Sequence, residues 1–217
     1  MIDSANEAPA GPTRRSFLTL GLGLALSGLA GPTLAAGPAS AAKAPPRTAQ
    51  PPSVYLLRGF AGVFSTGIDQ IDEALRASGI RSHIGSHLGW HSVADTILER
   101  HAAGEDGPVV LIGHSLGANA VISVAEVLEH ERVDVRYLAS FAATAPDPLP
   151  GNIDRVVNFY FSEGGWGRPL VPGPRFRGRL ENRDFAGYRD VGHFNIDKQP
   201  ALQSEVVKNT LQVLRQG

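Results

Sequence analysis

From Ser53 onward the apolar positions follow two rhythms, short unbroken runs and runs spaced every three to four residues. Val54-Tyr55-Leu56-Leu57 is unbroken and ends at Arg58-Gly59, the pattern of a buried strand entering a tight loop. Thr66 with Asp69 predicts a capped helix start; Ile68, Ile71 and Leu75 then fall at helical spacing, and Gly79 ends it. Ile80 to Ile84 predicts a second strand. Ser92 and Asp95 predict a cap for a helix carrying Val93, Ile97 and Leu98 and closed by Gly104. Pro108-Val109-Val110-Leu111-Ile112 is the most apolar strand, followed by a helix from Ala118 to Glu129 with Val121, Val124 and Leu128 on one stripe. Val133 to Phe141 and Arg155 to Phe161 are β-rich, and a last helix runs from about Leu202 to Leu214. Arg175, Arg177 and Arg179, alternating with Phe176 and Gly178, read as a solvated edge strand. This order predicts a three-layer α/β sandwich with a mostly parallel sheet covered on both faces. In such sheets the chemistry gathers at the carboxyl ends of the strands.

Composition narrows the possibilities. The 217 residues are 42% hydrophobic and 19% charged, enough for one buried core and too apolar for a disordered chain. A net charge of −1 lacks the basic footprint of a nucleic-acid binder, so no nucleic-acid partner is expected. With no cysteine, disulfides, thiolate metal sites and a cysteine nucleophile are all excluded. His83, His87 and His91 are spaced by four, but Gly85 and Gly89 break any continuous helical face, so no metal site is expected.

Before Ser53 the pattern differs. Arg14-Arg15-Ser16-Phe17 is followed by Leu18-Thr19-Leu20-Gly21-Leu22-Gly23 and then by small residues. This layout resembles a twin-arginine export signal, with Ala39-Ser40-Ala41 as the cleavage site and Thr33-Leu34-Ala35 as a second choice. The apolar run from Phe17 to Leu29 is shorter than the ~20 residues a membrane span needs. The expected organisation is a signal peptide over residues 1–41, an Ala/Pro-rich linker over 42–52 and a folded domain over 53–217. The resemblance implies the twin-arginine translocase as a partner during export, a periplasmic or extracellular location, and no stable membrane span in the mature protein.

At the end of the most apolar strand stands Gly113-His114-Ser115-Leu116-Gly117, and a helix follows at once. Gly-x-Ser-x-Gly between strand and helix is the pattern of a nucleophile elbow, in which glycines permit close backbone approach and the turn presents the serine. Here the chain, from Ser53 onward, resembles the α/β-hydrolase superfamily, in particular its small lipase, esterase and thioesterase-like members. The resemblance implies a compact α/β-hydrolase fold, a Ser115 nucleophile and the chain order serine, acid, histidine. His193, in Asp190-Val191-Gly192-His193-Phe194-Asn195, then becomes the base. For the acid, Glu163 follows the strand ending at Phe161 and lies 30 residues before His193; Asp147, after the preceding strand, is the rival, and Asp190 a third choice. Relatives carry an aspartate at the place of Ala142. The amide of Leu116 is one expected oxyanion donor and the amide of Phe60, or of Ala61, the other; Arg58 stands where such enzymes often have histidine. Trp166 and Arg168 belong either to the pocket rim or to an exposed loop.

Together these residues predict an exported serine hydrolase that cleaves a carboxylic ester or thioester of a small acyl or lipid-like substrate, with no cofactor. The short inter-strand segments predict an open, shallow site. A non-catalytic binding module on the same fold and an acyltransferase using the same residues are the alternatives.

Overall fold

The computed structural model describes residues 53–216 except 61, 106 and 165. The expected signal, its cleavage site and the linker lie outside the described residues. Six strands form one sheet in the order β2-β1-β3-β4-β5-β6, and every pairing is parallel. They are β1 Ser53–Arg58, β2 Ser82–Ser86, β3 Val109–His114, β4 Val135–Phe141, β5 Arg155–Tyr160 and β6 Arg179–Asp184. The helices are α1 Thr66–Ala77, α2 Trp90–Ala102, α3 Leu116–His130 and α4 Pro200–Leu214.

The unbroken apolar strands are explained by a core on each face. Val54 and Leu56 of β1 with Val110 and Ile112 of β3 point toward α1 and α4, meeting Ile68, Leu75 and Val206. Tyr55, Leu57, Val109 and Leu111 point the other way, toward Ile97 of α2 and Val121 and Leu128 of α3. Successive residues of a strand face opposite sides, so a strand covered on both faces has no position left for a polar residue.

Several element boundaries shift from the sequence reading, among them α1, which already includes the expected cap Thr66, and three of the shifts have a clear local reason. The second strand starts at Ser82, not Ile80, and Ser86 then accepts from the Leu88 amide at 3.3 Å to cap a 3-10 turn over His87–Gly89. That turn runs straight into α2, so Ser92 lies inside the helix and is not its cap. The solvated edge strand is β6, which begins at Arg179, where Arg175 and Arg177 had been expected to take part. Arg175 instead pairs with Glu129, and Arg177 donates to the carbonyls of Pro174 and Phe176 at 3.0 and 2.7 Å, closing the turn that leads into the strand.

Candidate active site

The β3–α3 turn is built around Ser115, a non-glycine residue at φ 57° and ψ −122°. A side chain in this region stores on the order of 1–3 kcal/mol of strain, tolerated where the surroundings over-determine the backbone. Here they do. A Cβ on Gly113 would lie 2.3 Å from the Gly117 carbonyl oxygen, and one on Gly117 would lie 2.0 Å from that of Leu57. The Ser115 amide donates to the Phe141 carbonyl of the neighbouring strand at 2.8 Å, and its own carbonyl accepts from Ala118 and Asn119. The Leu116 amide lies in the first turn of α3, where N–H groups have no intrahelical acceptor and the helix dipole favours negative charge.

The loop after β1 comes up against the same serine. A Cβ on Gly59 would stand 2.9 Å from Ser115 Cβ and 3.4 Å from Oγ. Phe60 follows at once, so its backbone joins the nucleophile's wall while its ring is 70% exposed. Ala61, the second choice for that donor, lies outside the described residues. Arg58 is turned away from the site: its Nε donates to both carboxylate oxygens of Asp69 at 3.1 and 3.2 Å, bracing the loop against α1.

His193 arrives from the other end of the chain. Its Nε2 lies 2.9 Å from Ser115 Oγ across 78 residues of sequence. Its loop is closed by Asn195, whose side-chain oxygen accepts from the Gly192 amide at 2.8 Å and whose side-chain nitrogen donates to the Asp190 carbonyl at 2.9 Å. Burial holds the His193 imidazole below its ordinary pKa, and the hydrogen bond at Nδ1 opposes that shift.

The acid expected from the sequence is not where His193 needs it. Nδ1 donates to the main-chain carbonyl of Trp166, not to a carboxylate. Glu163 is exposed, and the chain passes through Gly164 at φ 61° before returning to the site at Trp166. Asp147 lines a separate groove with Glu126, Glu129 and Arg175. Ala142, where the resemblance implies an aspartate, is fully buried at φ 51°.

Two supporting groups escaped sequence reading. His114, inside the elbow motif, is buried; its Nε2 donates to the His193 carbonyl at 2.7 Å, and its Nδ1 is 2.8 Å from Ser65 Oγ. With Nε2 protonated, Nδ1 accepts from the Ser65 hydroxyl, whose oxygen accepts from the Gly59 amide at 3.0 Å. Ser65 therefore does not cap α1, although it holds the N-cap position. Asn119 reaches from α3 to the segment after β4, accepting from the Thr144 and Ala145 amides at 3.0 and 3.2 Å. Neither group carries a motif of its own.

Asp197 sits beneath this cluster, fully buried, with Oδ2 accepting from the Gly67 amide at 2.9 Å and 4.0 Å from His114 Nδ1. Burial pushes its carboxyl up to about 6 and the His114 imidazole down to about 4. Both shifts work against a charged His114–Asp197 pair, since burial disfavours the charged form of each.

Above Ser115 opens a cavity of about 340 Å³. Phe60, Phe64, Leu116, Trp166 and Phe194 form its apolar wall, and no Asp, Glu, Lys or Arg is among its described lining residues. Phe64 and Trp166 each pack against Phe194, with ring centroids 5.0 and 5.9 Å apart.

The fold, a parallel sheet with helices on both faces, recurs in solved structures. The type II thioesterase BorB from the borrelidin biosynthetic cluster superimposes with a TM-score of 0.50, at 15% identity over 78% of this chain and 94% of its own. RedJ, solved with a PEG molecule in its active site, gives 0.50 at 16% identity, over 75% and 98%. The chain has the α/β-hydrolase fold. A putative hydrolase of the alpha/beta superfamily from Xanthomonas campestris pv. campestris is 22% identical over 75% of this chain and 99% of its own, with a TM-score of 0.45. No family model and no curated protein matches the chain. Within the α/β-hydrolase fold the serine and histidine stand at the carboxyl ends of strands, where loops converge and ligands bind.

Proposed function

We propose that the protein is a serine hydrolase cleaving carboxylic esters or thioesters with an apolar acyl group. The observation that carries this reading is the 2.9 Å approach of His193 Nε2 to Ser115 Oγ at the floor of the uncharged cavity. Ser115 Oγ attacks the acyl carbon while His193 takes its proton, and the amides of Leu116 and Phe60 hold the oxyanion. His193 returns the proton to the leaving alcohol or thiol. It then deprotonates a water that attacks the acyl-enzyme, releasing the acid and restoring the serine. The chemistry calls for no cofactor. The Arg14-Arg15 signal adds a second part: export through the twin-arginine translocase to the periplasm or outside the cell, where the mature enzyme meets its substrate.

A fluorophosphonate probe should label Ser115 in the purified protein, and Ser115→Ala should lose both labelling and hydrolysis of p-nitrophenyl esters. Along a series of p-nitrophenyl esters, kcat/KM should climb by about fourfold per added methylene while the cavity fills, since each buried methylene is worth ~0.8 kcal/mol. Labelling that survives Ser115→Ala moves the chemistry elsewhere, and a flat series removes the apolar acyl group. For export, Arg14→Lys with Arg15→Lys should leave uncut precursor in the cytoplasm; maturation at the wild-type rate would refute the signal.

A further inference from the structure

We propose that the main-chain carbonyl of Trp166 orients the base: it takes the Nδ1 proton of His193 in hydrogen bond, so that Nε2 faces Ser115 as the bare, proton-accepting nitrogen. The inference rests on the hydrolase reading above and assigns a positioning role to a backbone atom that carries no motif. Four observations support it. First, Nδ1 has this carbonyl as its partner; Glu163 lines a neighbouring pocket with Trp166 and His193, but among the described residues no hydrogen bond joins it to the ring, and Asp147 lines a different groove.

Second, the carbonyl is held in place by structure on its C-terminal side. The Phe161 amide donates to the Gly167 carbonyl at 3.4 Å, and the Arg168 amide donates to the Ala143 carbonyl at 2.7 Å. The side chain of Asn158, fully buried in β5, donates to the Arg168 carbonyl at 3.0 Å and to Asn182 of β6 at 2.8 Å. Asn182 in turn brackets both backbone groups of Leu170, at 3.0 and 2.9 Å. Residues 167–170 are thus stitched to the ends of β4, β5 and β6, and Trp166 is the last residue before the stitching.

Third, the loop packs closely on Ala142. A Cβ on Gly167 would meet the Cα and Cβ of Ala142 at 3.1 and 3.2 Å, so the loop comes down directly on this small residue. Fourth, the other face of the base loop is already secured, since His114 holds the His193 carbonyl. Only the ring's own rotation is left to be fixed, and one acceptor at Nδ1 suffices for that.

A neutral carbonyl stabilises the imidazolium less than a carboxylate does, because hydrogen bonds with an ionised partner are about twice as strong. Burial lowers the His193 pKa further, His114 nearby acts in the same direction and Asp197 against it. The acid limb of kcat/KM should therefore fall below the ordinary histidine value of about 6.5.

The test replaces the amide between Trp166 and Gly167 with an ester, by incorporating hydroxyacetic acid at position 167, which makes the Trp166 carbonyl a poorer acceptor. The expected result is a fall in kcat of about tenfold with KM unchanged, and an acid limb moved lower still. In ¹⁵N-histidine-labelled protein the Nδ1–H proton of His193 should be present in wild type and move upfield in the ester variant. Glu163→Gln and Asp147→Asn should keep kcat within threefold and leave that resonance in place. A loss of more than tenfold in either carboxylate variant, or a displaced Nδ1–H resonance there, overturns the proposal, as does an ester variant with unchanged kcat and spectrum. Should the ester variant fail to fold, the two carboxylate variants and the wild-type spectrum decide alone. Fluorophosphonate labelling of Ser115 separates the outcomes: if it persists while these results go the wrong way, the hydrolase reading stands and only the role of Trp166 falls.

Discussion

The two halves of the Ser115–His193 pair are held by different physics. At the elbow, Ser115 is fixed by hard contacts between backbones: Gly113 lies against Gly117, and Gly117 against Leu57, so closely that no side chain fits. At the base loop, His193 is fixed by hydrogen bonds from segments far apart in the chain, with Trp166 at one ring nitrogen and His114 at the main-chain carbonyl. Steric exclusion restricts residue type and so writes itself into the sequence as glycines. A main-chain acceptor restricts nothing, since every residue has a carbonyl. One half of the site is therefore conspicuous and the other silent.

The largest effect expected from this contrast is at Gly117. Gly117→Ala places a methyl 2.0 Å from the Leu57 carbonyl oxygen and 2.9 Å from the Arg58 carbonyl carbon, both at the carboxyl end of β1, which is paired on both sides. Backbone on both sides cannot give way locally, so the loss should reach or exceed the ~3 kcal/mol upper end of ordinary overpacking. Urea unfolding measures it. A variant as stable as wild type would mean that the elbow is softer than its contacts imply.

The same contrast explains what was legible beforehand. The parallel sheet and its helices followed from Val54–Leu57, Val109–Ile112 and the spaced apolar residues of α1 and α3, because double-sided burial leaves unbroken apolar strands. Ser115 and His193 were legible from the glycines and from chain order. The acid was not. Strand position and spacing pointed to Glu163, three residues from the carbonyl that meets Nδ1, and the turn at Gly164 separates the two. The roles of Ser65 and His114 were hidden for a related reason: the cap was expected at Thr66, and the hydroxyl of Ser65 before it is spent on Gly59 and His114.

Elbow and base loop meet in the buried cluster of His114 and Asp197, and pH should expose their opposed titrations. The folded protein holds His114 at about 4, below its ordinary 6.5, so the unfolded chain binds more protons and stability rises with pH across that window. Asp197 at about 6 stands above its ordinary 3.8, so the folded chain binds more protons and stability falls as pH rises between those values. Each slope is worth on the order of 3 kcal/mol across two pH units, and they largely cancel. Asp197→Asn removes the falling arm. Its unfolding free energy, measured by urea at steps from pH 4 to 6.5, should gain on wild type by on the order of 2–3 kcal/mol. Parallel curves would show that Asp197 keeps an ordinary carboxyl.

A graded version of the elbow experiment is available at Gly167, beside the carbonyl that meets His193. Gly167→Ala meets Ala142 and the Phe161 ring at 3.1–3.2 Å, a crowding that a shift of a few tenths of an ångström relieves. The loop can make that shift, and Trp166 moves with it. Stability should change by no more than about 1 kcal/mol, while kcat falls about five- to tenfold at constant KM. Equal losses in stability at Gly117 and Gly167 would erase the distinction drawn between steric and hydrogen-bonded restraint.

The smallest effect should come from the brace behind the oxyanion loop. Arg58 and Asp69 are paired through both carboxylate oxygens, but their side chains are 29% and 35% exposed, so solvent screens much of the attraction. Partly exposed pairs contribute about 0.2–1 kcal/mol, and Asp69→Asn keeps one acceptor for the guanidinium. Stability should therefore drop by about 0.5 kcal/mol. The loop itself is held more firmly by Ser65 at the Gly59 amide, a buried bond, so Phe60 should stay in register and kcat should change by no more than about twofold. Ser65→Ala, by comparison, takes the buried partner from both the Gly59 amide and His114 Nδ1, at a cost of about 1–3 kcal/mol. If Asp69→Asn proved the more damaging of the two, the oxyanion loop would be positioned from the helix side by charge. The chain from Gly59 through Ser65 to His114 would then be only filling.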